Sequence, residues 1–311
     1  PGYSALTESW NGSSWTEVND LPTGQAGSSA GDSATAALFF GGPLNPSPPY
    51  ISAVTVAYDG TSWTAVNSMN TSRRIGPRGS SVGANSSGGA FYAGGLASPG
   101  TVGNTETWNG TSWTEEGDLN LARYNSGGAG NSTNGLCIAG SSPNNNYTEE
   151  FTGAGAPIGA WSTGGALNTA RWELSGAGVS NSAALAFGGD TSPGPNTAAT
   201  ESYDGTSWTE VSDLNQARKQ AGGAGTYTSA LATGGSIDTG YIALNEAWNG
   251  SSWTEEADLN TARALGAMGG ASSESALFFG GAPASGGVYS AAESWNGSAW
   301  TEVNDLNSGR R

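Results

Sequence analysis

Residues 201–215 read ESYDGTSWTEVSDLN, and close copies of this stretch begin at Glu8, Glu106, Glu246 and Glu293. The second aromatic residue of the motif recurs along the whole chain at intervals of 45 to 50 residues, as Trp15, Trp63, Trp113, Trp161, Trp208, Trp253 and Trp300. A fixed period of this length is typical of solenoids and propellers, in which each unit buries its apolar face against its neighbours. The repeat therefore decides the fold.

Each unit reads as four short strands. The first is rich in Gly and Ala and follows an Arg, and the second is an apolar run that ends in Gly-Gly, as in residues 184–189. A variable loop leads to the third strand, and Asn-Gly or Asp-Gly joins the third strand to the fourth: Asn11-Gly12, Asp59-Gly60, Asn109-Gly110, Asp204-Gly205, Asn249-Gly250 and Asn296-Gly297. This dipeptide favours a type I′ turn, with positive φ at both residues. No stretch has sustained helical periodicity, so the sequence predicts an all-β protein.

The glycine pair after an apolar strand, the aromatic residue before a tight turn and the Trp beyond it resemble the kelch repeat over essentially the whole chain. This resemblance implies a β-propeller in which each repeat is one four-stranded blade. We expect one domain over residues 1–311, with an unpaired outer hairpin at 4–19 and blades at about 21–67, 69–117, 119–165, 167–212, 214–257 and 259–305. Six Gly-Gly strands against seven Trp hairpins favour a seven-bladed ring, or a segment of a longer array, cut near its closing strands. A six-bladed ring with a spare hairpin is the alternative.

An arginine lies ten residues after six of the seven Trp residues: Arg73, Arg123, Arg171, Arg218, Arg263 and Arg310. In the first unit Gln25 takes this place. A residue that recurs in almost every blade serves what every blade needs, so we interpret these arginines as ion pairs or carbonyl clamps between blades. The alternative is a ring of arginines that faces an anionic ligand. The repeated Trp residues are likewise interpreted as packing between blades, with repeated sugar pockets as the alternative.

Composition argues against several kinds of function. The net charge is −16, which disfavours binding to nucleic acid, and no apolar run is long enough for a membrane helix. The chain has no histidine, which removes His-based triads and metal sites, and its single cysteine, Cys137, lies in an apolar run. The sequence therefore predicts a protein with no catalytic residues, no metal and no cofactor, which is not an enzyme.

The repeat varies most in the loop between the second and third strands. Four of these loops carry a tyrosine, and tyrosine offers rigid contact area with a polar tip. The predicted ligand-binding residues are Tyr50, Asn145, Tyr147, Tyr241 and Tyr289.

Near-identical tandem copies, richness in Gly, Ser, Thr and Asn, and an acidic balance are similar to tandem-repeat proteins of bacteriophage virions, particularly marine ones. This resemblance implies an extracellular, virion-associated appendage or adhesin. Such a module would present one propeller face to a cell-surface glycan or protein and contact other virion proteins. The alternatives are an intracellular kelch scaffold that binds a peptide and, third, a carbohydrate-active enzyme.

Overall fold

The computed structural model describes residues 4–24, 28–33, 35–43, 51–74, 89–141, 146–153, 159–191, 194–283 and 285–309. These residues form 27 antiparallel strands and no helix. The alternation of short apolar runs with turns, read from the sequence as all-β, is confirmed.

The strands group into one hairpin and six blades. The hairpin consists of β1 (Thr7–Trp10) and β2 (Trp15–Val18). Blade 1 consists of β3 (Ser28–Ser33), β4 (Ala36–Phe40), β5 (Thr55–Tyr58) and β6 (Trp63–Val66). Blade 2 has three strands among the described residues: β7 (Phe91–Ala93), β8 (Thr105–Trp108) and β9 (Trp113–Glu115). Blade 3 consists of β10 (Gly127–Gly130), β11 (Asn134–Ile138), β12 (Thr148–Thr152) and β13 (Ala160–Thr163).

The remaining three blades repeat this order. Blade 4 consists of β14 (Ser175–Ser180), β15 (Ala183–Phe187), β16 (Thr200–Tyr203) and β17 (Trp208–Glu210). Blade 5 begins with β18 (Gly222–Thr226) and β19 (Ser229–Thr233), and its variable loop forms a small hairpin of β20 (Ser236–Ile237) and β21 (Gly240–Tyr241). It ends with β22 (Asn245–Trp248) and β23 (Trp253–Glu256). Blade 6 consists of β24 (Ala267–Ser272), β25 (Ser275–Phe279), β26 (Ala292–Trp295) and β27 (Trp300–Val303).

Strands within each blade pair in chain order, apart from the small hairpin inside blade 5. The first strands β10, β14, β18 and β24 contact one another in succession, which makes the first two strands of a blade its inner pair and the last two its outer pair. Apolar side chains fill the space between adjacent blades. Leu231 of blade 5, for example, packs in one cluster with Phe278 and Trp300 of blade 6.

The described residues form six blades and a hairpin, rather than the seven blades expected. The hairpin of β1 and β2 stays a two-stranded sheet. A blade needs an inner and an outer pair, and each inner pair among the described residues already belongs to an outer pair of its own.

The Asn-Gly turns also differ from the prediction. Trp10 pairs directly with Trp15, which leaves a four-residue loop rather than a two-residue type I′ turn. Gly12 has φ of 97°, whereas Asn11 is not among the residues with positive φ. The Asn11 side chain explains the longer loop, since its Oδ1 accepts hydrogen bonds from the backbone N–H groups of Ser13 and Ser14, both at 2.9 Å. The Asn11 side chain thus stabilises this turn, for which the sequence had predicted positive φ at both residues instead.

The glycine pairs allow the crossover to the next blade to approach closely. The N–H of Gly189 donates to the Arg218 carbonyl at 2.9 Å, and a Cβ at Gly188, where φ is 63°, would lie 2.5 Å from the same oxygen. Blade 3 departs from the pattern, because Ala139 holds the first position of its pair with φ of 54°. A side chain in this region is strained by contact with its own backbone.

Ala139→Gly should change the free energy of unfolding by less than about 1 kcal/mol, because relief of the left-handed strain offsets both the entropic cost of glycine and the loss of a buried methyl group. Urea unfolding of both proteins measures the difference. The matched control is Ala186→Gly, at a buried strand position of blade 4 with ordinary backbone, which loses the same methyl without relief of strain and should destabilise by more. A loss of stability in Ala139→Gly as large as that in Ala186→Gly would contradict the strain.

Candidate functional site

The described arginines of the repeat are buried and paired. Arg73, Arg123, Arg171, Arg218 and Arg263 are each at most 1% exposed, and each forms an ion pair of 2.6 to 3.1 Å with a glutamate of the third strand: Glu106, Glu149, Glu201, Glu246 and Glu293. The same glutamate accepts the backbone N–H of the Asn three residues before the Arg, as Glu106 does from Asn70 at 2.6 Å. The ion pair and the hydrogen bond thus hold the crossover into each of these blades against the third strand of that blade.

Burial lowers the pKa of Arg73, and the adjacent Glu106 carboxylate opposes that shift. The guanidinium also donates to the Tyr92 carbonyl at 3.0 Å and to the Asn104 carbonyl at 2.6 Å. A side chain with these partners and no exposure is not placed to meet an anionic ligand in a channel. Arg310, the last arginine of the series, lies outside the described residues.

The repeated Trp residues connect adjacent blades. Trp208 Nε1 donates to Thr148 Oγ1 of the preceding blade at 2.9 Å, and Trp253 and Trp113 make the same bond at 3.0 and 2.8 Å with Thr200 and Thr55. Trp113, Trp208, Trp253 and Trp300 are about 5–6% exposed, whereas Trp15 and Trp63 are half-buried. The side chain of Trp161 lies outside the described part of the structure.

The loops that differ between repeats emerge at one end of the blades, together with the crossovers. We call this end the variable-loop face, formed among the described residues by 96–102, 141, 146–147, 190–191, 194–197, 236–242, 282–283 and 285–290. The opposite end, with the Asn-Gly turns, we call the hairpin face. Three of the four exposed large apolar side chains of the described residues lie on loops that belong to the variable-loop side: Val54, Tyr147 and Val288. The fourth, Tyr227, lies on the hairpin face, between β18 and β19.

The predicted binding residues are placed unequally. Tyr147 is 37% exposed, and Tyr241 and Tyr289 are half-buried. Tyr50 and Asn145 lie outside the described residues. Tyr147 borders a cavity of about 240 Å³, which Asn120, Leu121, Glu149 and Thr163 also line. The cavity combines an aromatic ring with an amide, a hydroxyl and an aliphatic side chain.

The structure adds a cluster that the search for loop tyrosines missed. Lys219, the only lysine in the sequence, lies on the crossover between blades 4 and 5. Its Nζ is 2.6 Å from Asp190 Oδ2 and 3.4 Å from Glu173 Oε2, and it lies 5.5 Å from the centre of the Trp172 ring. We call Trp172, Glu173, Asp190 and Lys219 the lysine cluster. Two features of the sequence point to this cluster. Asp190 departs from the repeat, and the residue after each repeated Arg differs from one unit to the next.

Electrostatics keep Lys219 charged. Burial acts to lower the pKa of Lys219, but the hydrogen bond to Asp190 and the nearby Glu173 carboxylate outweigh it and raise that pKa above the ordinary value. The next residue along, Gln220, has φ of 56° and donates its N–H to the Glu173 carbonyl at 3.1 Å. The equivalent residues Asn125, Glu173 and Leu265 are left-handed too, with φ of 52° to 60°. This left-handed residue recurs two positions after the Arg in four crossovers, so it belongs to the repeat rather than to the lysine cluster.

Other chemistry finds less support in the described residues. No group of three or more Cys, Asp and Glu side chains there is placed to hold a metal ion. The same part of the chain contains no helix long and apolar enough to cross a membrane.

No protein-family model matches the sequence, and no curated protein matches it. Among solved structures, one described as "Structure of YjhT" is similar to this chain with a TM-score of 0.65 and 13% identity, over 97% of this chain and 100% of the other. At this identity the likeness shows the fold alone. The chain is therefore an all-β β-propeller of tandem repeats, with four-stranded blades.

The raised pKa of Lys219 can be tested by titration. The Lys219 Cε resonance should titrate above about pH 10.4, the usual lysine value, and Asp190→Asn should bring its midpoint down, because a charged partner is lost. Since the folded pKa is raised, the cluster contributes stability at neutral pH and loses it as the pH rises through that pKa. An NMR titration measures the pKa of Lys219 directly, because the sequence has one lysine.

Asp238→Asn is the matched control, since the Asp238 carboxylate contacts Asn196 rather than Lys219. A midpoint that is unshifted in the native protein, or one that Asp190→Asn leaves unchanged, would contradict the pairing.

Proposed function

We propose that this propeller is a kelch-type recognition module without catalytic activity, which binds a cell-surface glycan or protein through its variable-loop face. The observation that supports the proposal is that residues which differ between repeats and residues which all repeats share lie in different parts of the propeller. The hairpin face and the interfaces between blades mostly repeat one set of residues, whereas exposed Tyr147 and the lysine cluster, which occur once each, lie on the variable-loop face. Surface loops on a rigid scaffold are where proteins commonly place binding residues.

The chemistry of this face suits a glycan. Sugars present hydroxyl groups and apolar ring faces, and the face offers aromatic rings at Tyr147 and Trp172 beside carboxylates at Glu173 and Asp190 and the ammonium of Lys219. A few convergent polar groups beside aromatic surface are typical of small-molecule sites. The net charge of −16 argues for neutral or cationic ligands in preference to polyanions.

The setting is also a proposal. Near-identical tandem copies and an acidic, glycine-rich composition support an extracellular appendage or adhesin of a bacteriophage virion. In that setting the structural repeats supply a durable scaffold, and the variable loops supply the specificity toward the host surface.

A glycan array probed with the whole protein tests the proposal. The protein should carry its label on a fused tag, since amine labelling would modify Lys219 itself. We expect binding to a defined set of glycans, which Tyr147→Ala weakens by about tenfold or more, as loss of an aromatic anchor does. Exchange of residues 141–147 for a minimal turn should abolish it while the melting temperature holds.

Asn249→Asp is the matched control on the hairpin face. Asp59 and Asp204 hold the same turn position in other blades, where their carboxylates accept the same backbone hydrogen bonds at 2.8 Å. Binding that Asn249→Asp reduces as much as Tyr147→Ala, or a stoichiometry of one glycan per blade, would place the ligand on the hairpin face and overturn the proposal. An array without binding, together with capture of a peptide by the variable-loop face, would favour an intracellular scaffold instead.

A further inference from the structure

The cavity beside Tyr147 is lined by residues that depart from the repeat, and Tyr147 is the first of them. Arg123 Nη1 donates to the Tyr147 carbonyl at 2.9 Å, as Arg73 Nη1 does to the Asn104 carbonyl of blade 2 at 2.6 Å. Tyr147 and Asn104 therefore hold the same position. In the five other blades this position is Val54, Asn104, Ala199, Leu244 and Ala291. Only blade 3 has an aromatic residue there.

Thr163 also replaces a repeated residue. It lies opposite Glu149 in the pairing of β12 with β13, where blades 2, 4, 5 and 6 place a second glutamate opposite the first. In blade 2 the second glutamate is Glu115, which accepts a hydrogen bond from Asn104 Nδ2 at 3.0 Å. Blade 3 replaces both partners of this bond, because Tyr147 and Thr163 stand in their places. The shorter side chain of Thr163 leaves room for the cavity.

Leu121 is the third departure, and it lies on the crossover into blade 3. The corresponding residues of the other five crossovers are all polar: Thr23, Thr71, Thr169, Gln216 and Thr261. Leu121 is half-buried and forms an apolar wall of the cavity together with the Tyr147 ring. Three departures from the repeat thus meet at one cavity, although they come from a crossover, a loop and a strand. The packing of a blade does not require them, because the other blades form without them.

The polar groups of the cavity suit an uncharged ligand. Glu149 is the only charged residue among the described residues that line it, and its carboxylate is 2% exposed and forms an ion pair with Arg123 at 2.6 Å. Asn120 Nδ2 donates to Glu149 Oε2 at 2.8 Å. An amide has two N–H donors and a carbonyl acceptor, and this bond uses one donor. A charged ligand group would lose its hydration here without an opposite charge to replace it.

We infer that this cavity binds the acetamido group of an uncharged N-acetylhexosamine, whose sugar ring lies against Tyr147. The inference rests on the proposed glycan-binding function and names the sugar that the face selects. The acetyl methyl group contacts Leu121 and the Tyr147 ring, and the amide of the sugar pairs with the Asn120 amide. A plain hexose has a hydroxyl group in place of the acetamido group, so it leaves the apolar wall without a partner.

The size of the cavity fits one sugar residue. Its volume is about 240 Å³, whereas pockets that enclose a whole drug-sized ligand measure roughly 300–1,000 Å³. The backbone of Tyr147 is fixed, because its carbonyl accepts the N–H of Ala139 at 2.8 Å as well as the bond from Arg123. A rigid aromatic residue of this kind loses little conformational entropy when a ligand binds.

Methyl glycosides test the sugar chemistry, titrated into the ¹⁵N-labelled whole protein and followed by NMR. The probes are the methyl glycosides of N-acetylglucosamine, glucose and glucosamine, and the same three of the galactose series. We expect an acetamido glycoside to bind at one site per protein, at least about tenfold more tightly than the matched hexoside and the matched amine. The amide resonances of Leu121, Tyr147 and Thr163 should shift on binding.

Two variants restore residues of the repeat. Thr163→Glu should abolish binding of the acetamido glycoside, because a longer, charged side chain enters the cavity, and Leu121→Thr should weaken it by about fivefold or more. Both residues occur at these positions in other blades, so the melting temperature should hold. Ala65→Glu is the matched control, since it restores the same glutamate at an exposed position of blade 1, and it should leave binding unchanged.

An acetamido glycoside that binds no more tightly than its hexoside in both series would overturn the inference, and so would binding that Thr163→Glu leaves intact. The glycan array distinguishes this failure from failure of the proposed function. Glycans bound through Tyr147 without a requirement for an N-acetylhexosamine would retain the proposed function and overturn the inference. An array without bound glycans would overturn both.

Discussion

The buried pair of arginine and glutamate is the interaction on which the rest of the ring depends. Placing two charges where neither is more than about 2% exposed costs several kcal/mol in desolvation, and only close geometry with further hydrogen bonds offsets this cost. Four of the five glutamates, Glu106, Glu149, Glu201 and Glu246, meet the condition, since each accepts hydrogen bonds from two backbone N–H groups and an Asn amide besides its ion pair with the arginine. The pair thereby fixes the crossover, and the crossover fixes where the next blade begins.

The chain itself contains an instance without the pair. At the entry to blade 1, Pro22, Gln25 and Val56 stand at the positions of the Asn, Arg and Glu of other units, and Val56 is 1% exposed. The three polar residues are replaced together. This joint replacement is what a mutual dependence predicts, because a glutamate left without its arginine would be a buried, unpaired charge.

Much of the fold could be predicted from the repeat, because a period of 45 to 50 residues with aromatic hairpins admits few architectures. What the sequence could not give was the partner of each arginine, since Glu106 lies 33 residues beyond Arg73 and only the folded blade brings them together. The turn type was missed because the Asn11 side chain, rather than its backbone, forms the tight contact. The lysine cluster was missed because, although Trp172 and Lys219 each follow a repeated Arg, only the fold brings them together with Asp190.

A double-mutant cycle measures how far Arg218 and Glu246 depend on each other, with urea unfolding of Arg218→Met, Glu246→Val and the double variant. We expect each single change to cost about 3–5 kcal/mol, because it leaves a buried charge unpaired. The double variant, which resembles the natural Val56 interface, should cost much less than the sum. Single and double changes that add to within about 0.5 kcal/mol would show that the two residues act independently and that the pair is not what holds the crossover.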